Sequence, residues 1–92
     1  MKGFAELEKE VGFGLAVTIY GKDLPTSFYE ELKRPQWKEI YEASKGTSMR
    51  EEAVRGIYKT SATIDEYIEA HNLAPAGSDL RKEIRKTING FL

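Results

Sequence analysis

Arg81, Lys82, Arg85 and Lys86 crowd four cations into six residues. Guanidinium and ammonium groups at that density could meet the phosphates of a nucleic acid. Arg81 and Arg85 could also read guanine edges, and Asn89 could pair with adenine. Stepping about 100° per residue from Leu80 places Leu80, Ile84, Ile88 and Phe91 within an arc of about 80°, with the cations outside it. The same four cations would equally suit a solvated face in the C-terminal half of a helix.

Other chemistry finds no footing. Gly12-Phe13-Gly14 starts like a dinucleotide loop, but Val17 stands where the third glycine belongs. Lys45-Gly46-Thr47-Ser48 lacks the order of a phosphate-binding loop. One histidine and no cysteine leave neither a zinc-finger set nor a multi-histidine site, so no metal or cofactor is expected. His71 could act as a base or a pH sensor. No nucleophile in an exposing motif accompanies it, and a place at a helix C-terminus, favourable to its dipole, accounts for it. The carboxylate pairs Glu30-Glu31, Glu51-Glu52 and Asp65-Glu66 fit first turns of helices, where the macrodipole favours negative charge. No catalytic residue is expected, and the chain does not read as an enzyme. Trp37 and Tyr41, one helical turn apart, could form a binding hot spot, although helical spacing fits a core pair better.

The totals describe the scaffold available. Ninety-two residues make one domain, which buries roughly 60–65% of its unfolded surface. With 40% hydrophobic and 32% charged residues, it has the balance of a small soluble globular protein. The net charge of −1 lacks the positive excess of a general nucleic-acid coat protein. Residues 1–44 hold six Lys/Arg and eight Asp/Glu, a balance of −2; residues 45–92 hold eight and seven, a balance of +1. The absence of cysteine suits the cytoplasm. The longest apolar run, Val11 to Tyr20, is about half the ~20 residues of a membrane span, so no membrane association is expected.

The elements follow from periodicity and punctuation. Phe4, Ala5, Leu7 and Val11 suit a short helix that Gly12 would end, or else a strand. Phe13, Leu15, Val17 and Ile19 alternate with Gly14, Ala16, Thr18 and Tyr20, which predicts a β-strand. It would pair with residues 3–10 as a hairpin, or with the same strand of a second copy as a homodimer ribbon. A buried helix fits less well, because Gly12, Gly14 and Gly21 oppose it. Beyond Gly21-Lys22-Asp23 the chain reads as helical. Helices are expected over Phe28–Lys33, Pro35–Ser44, Met49–Thr60, Ile64–His71 and Leu80–Asn89. Ser27…Glu30, Ser48…Glu51 and Thr63…Glu66 have the spacing of capping boxes.

The expected fold is therefore mainly α with some β: one N-terminal strand or hairpin arm over residues 1–22, then about five short helices over 25–92. The last two helices resemble the generic outline of a helix-turn-helix. Their seven-residue break, Asn72 to Ser78, is longer than the usual turn and contains Pro75, and no β-wing follows. The functional expectation is a small non-enzymatic regulatory protein that contacts DNA through Arg81, Lys82, Arg85, Lys86 and Asn89. The rival is a protein–protein interaction module, adaptor or inhibitor, with no nucleic-acid contact.

Overall fold

A computed structural model describes residues 3–92, and the described residues hold α-helices and no strand. The helices are α1 (Phe4–Val11), α2 (Phe13–Tyr20), α3 (Thr26–Glu30), α4 (Arg34–Ala43), α5 (Met49–Lys59), α6 (Ile64–Leu73) and α7 (Asp79–Asn89), with a 3₁₀ turn at Gly21–Asp23 after α2. No described helix is long and apolar enough to cross a membrane. Packing passes mainly from each helix to a near neighbour: α1 on α2, α2 on α4, α4 on α5, α5 on α6 and α6 on α7. The result is an elongated body, 50 × 23 × 19 Å. It exposes 6079 Å², against about 5400 Å² expected of a compact chain of this mass.

The predicted strand is a helix, and this removes both the hairpin and the ribbon homodimer through Phe13, Leu15, Val17 and Ile19. The glycines that argue against a helix there are what make it possible. Gly12 (φ 92°) and Gly21 (φ 49°) take backbone angles that other residues avoid. They close α1 and α2 by donating to Glu8 O and Val17 O. Gly14 lies inside α2, where a β-carbon would stand 2.3 Å from the Glu39 carbonyl oxygen. Its missing side chain lets α2 seat directly on the backbone of α4. The helix also answers the problem of the unpaired strand, because its backbone groups bond within the segment. On the helical wheel the alternating pattern divides differently. Val17 is fully buried and Phe13 and Tyr20 are half-buried, while Leu15 and Ile19 turn outward.

One core runs through the body: Val17 from α2, Leu32 from the connection before α4, Trp37 and Ile40 of α4, Ala53, Val54 and Ile57 of α5, Ala70 and Ala74, and Leu80 and Ile84 of α7. Buried Ser44 donates to Tyr41 O at 3.3 Å. At the N-terminal end, Phe4 meets Phe13, Tyr20 and Phe28 edge-on at 5.4–6.3 Å, a favourable ring geometry. The apolar stripe of α7 is buried at Leu80 and Ile84 and half-buried at Ile88. Phe91 lies past the helix end, 54% exposed, with its ring 5.5 Å from Tyr67.

Of the three expected capping boxes, one forms. Thr63 Oγ1 accepts from Glu66 N at 3.2 Å, and Glu66 Oε1 accepts from Thr63 N at 3.1 Å. α3 starts at Thr26 after Pro25, with no side-chain cap, which leaves Ser27 inside it. Glu30 accordingly ends that helix instead of starting it. Ser48 has helical angles (φ −65°, ψ −23°) and caps nothing, since an N-cap needs extended backbone there.

Candidate functional site

Two places gather side chains that sequence spacing does not bring together. The larger is a cleft of about 1220 Å³. On one side stand the end of α2, the 3₁₀ turn and α3; on the other stands α5; Leu32 and Trp37 form the floor. Trp37 pairs with Tyr29, not with Tyr41: the rings stack at 5.9 Å and 23°. Tyr41 instead takes the Arg50 guanidinium over its face at 4.0 Å. Trp37 is 7% exposed, so it is core first and cleft floor second.

Gly56 makes that floor possible. A β-carbon on Gly56 would stand 2.0 Å from Trp37 Cδ2, so the indole lies flat against the α5 backbone. A glycine in the interior of an otherwise good helix was the visible signal for this contact. Tyr29 donates to Gly21 O at 2.6 Å. Burial, with the Glu52 carboxylate nearby, pushes its phenol above the usual range, so it remains a neutral donor. On the rim, Ile19 is 57% exposed. Charges of both signs flank the opening, with Lys22 and Asp23 on one side and Glu52, Arg55 and Lys59 on the other.

The second place is the corner where α6 meets α7. The break between them is five residues, Ala74 to Ser78, not seven. Ser78 caps α7 by accepting from Arg81 N at 3.2 Å. The cations of α7 do not form a uniform row. Arg81 turns onto α6, donating through Nε to His71 Nε2 and through an NH1 group to Ala74 O, both at 3.4 Å. Arg85 reaches the same His71 nitrogen at 3.4 Å. Lys82, Lys86 and Asn89 are exposed. His71 does sit in the last turn of its helix, and its Nδ1 lies 3.2 Å from Asn72 Oδ1.

Among the described residues, no group of three or more His, Asp or Glu side chains could hold a metal ion. Comparison with known family models, curated proteins and solved structures finds no match.

Proposed function

We propose that this chain is a non-enzymatic protein-interaction module, an adaptor or inhibitor, that captures an amphipathic helical segment of a partner in the α2–α5 cleft. The observation that carries this reading is the cleft itself. Its aromatic floor lies between helical walls, and its volume exceeds the roughly 300–1,000 Å³ of enclosed small-molecule sites. A helix laid in such a groove places apolar residues at i, i+3/i+4 and i+7 on the floor. Its polar flanks then meet charges on both rims, as the Lys22–Asp23 and Glu52–Arg55–Lys59 edges require. Exposed Ile19 adds apolar surface where an anchor would press.

Nucleic-acid contact through α7 draws less support. Arg81 and Arg85 converge on one point beside α6 instead of spreading along a phosphate backbone, and Lys82 and Lys86 share α7 with Asp79 and Glu83.

The test is selection of displayed amphipathic helical peptides on the whole protein, with the Ile19→Glu variant as counter-target. The expected result is enrichment of peptides with the spacing above, whose binding changes Trp37 fluorescence and is lost with Ile19→Glu. Peptides that bind both proteins equally, or no enrichment, would sink the reading.

A further inference from the structure

We propose that Arg81 and Arg85, gathered on His71, form a binding site for a phosphomonoester dianion at the α6–α7 corner, separate from the cleft and independent of the reading given to it. The two guanidinium groups point at one atom. Arg81 Nε and an Arg85 NH2 group each lie 3.4 Å from His71 Nε2. The two donor nitrogens are thus within twice that distance of each other, a span one tetrahedral oxyanion can bridge.

Like charges converging on one point make a region of positive potential that an anion would relieve. Among the described residues, neither arginine has a carboxylate partner. The acids of α7, Asp79 and Glu83, lie at least about 120° round the helix from both arginines. The present hydrogen bonds are long, against a usual 2.9–3.0 Å. Shorter charge-assisted bonds to a phosphoryl oxygen replace them at a gain. Most of the donor capacity is spare, since a guanidinium carries five N–H groups and Arg85 uses one of its own here. Arg81 also donates to Ala74 O at 3.4 Å.

A phosphomonoester dianion suits two converging guanidinium charges better than a phosphodiester, which carries half the charge. Titration of the whole protein with inorganic phosphate and with phenyl phosphate at pH 8, at matched ionic strength in chloride, tests this by amide and arginine Nε–H chemical shifts. Both probes are expected to shift Ala74, Arg81 and Arg85 and to saturate at millimolar concentration. Arg85→Gln, on an exposed side chain, weakens binding about tenfold; Lys86→Gln, on the outer face, leaves it unchanged. Three results would overturn the site: no saturation by tens of millimolar, equal loss in the two variants, or duplex DNA moving the same signals more tightly than phenyl phosphate.

Discussion

Trp37 occupies the space a β-carbon on Gly56 would need, 2.0 Å from its Cδ2. Two residues nineteen positions apart therefore share one volume, and the smaller one sets the depth of the cleft floor.

Gly56→Ala separates packing from propensity. Helix propensity alone would favour alanine by about 1 kcal/mol. The indole cannot yield without leaving its stack on Tyr29, and overpacking of this kind costs about 1–3 kcal/mol. A lower urea midpoint is expected, with altered Trp37 fluorescence in the folded state. A raised midpoint would show that the indole moves freely.

Arg34 ties α4 to α5 and α6. Its guanidinium donates to Ile57 O at 3.0 Å, Ser61 Oγ at 2.8 Å and Glu66 O at 3.3 Å, and it also pairs with Glu69. Arg34→Met removes these charged donors, although Ile57 O keeps Ser61 Oγ at 2.7 Å and Glu69 keeps Lys38 at 3.2 Å, and should cost about 2 kcal/mol by urea unfolding. Arg34→Lys keeps the charge but loses the fork, so it recovers less than half of that loss. Full recovery by lysine would reduce the contact to simple charge.

Acid should loosen the same junction. N–H groups of Ala62 and Thr63, followed by the nearby Arg34 charge, hold the Glu66 carboxyl below its usual range. Burial pushes Glu69 up, but hydrogen bonds from Lys38 and Arg34 outweigh it and leave that carboxyl lowered too. A folded-state value below the unfolded one gives stability that is present above the ordinary value, 4.5, and lost as pH falls through the folded one. The expected Tm is flat from neutral pH down to about that value and drops below it. Glu66→Gln with Glu69→Gln flattens the drop; an unchanged profile would place the acid-sensitive contacts elsewhere.

Most of the helices from Arg34 onward were legible, because their signals are local. Trp37, Ile40 and Ser44 recur at helical spacing and are buried together. So are Ala53, Val54 and Ile57, and Thr63 with Glu66 reads as the capping box it is. Residues 13–20 were not legible. Eight nearly all-apolar residues alternate by size, and the deciding fact is the approach of Gly14 to the Glu39 backbone, which is tertiary. The cleft escaped for the same reason. Tyr29 and Trp37 lie on either side of the break before α4, and local periodicity pairs Trp37 with Tyr41 instead. The corner at His71 was half visible: the cations were plain, but which of them turn onto α6 depends on a five-residue connection.

The serial packing of this elongated body bears on how it assembles and comes apart. Each helix leans mostly on a neighbour close in sequence, so few contacts require distant segments to meet, and low contact order goes with folding in microseconds to milliseconds. Stability in such an array approaches a sum of nearest-neighbour interfaces. Amide exchange should accordingly grade inward, with α1 and α7 opening before the α4–α5 centre that Trp37 and Gly56 lock together.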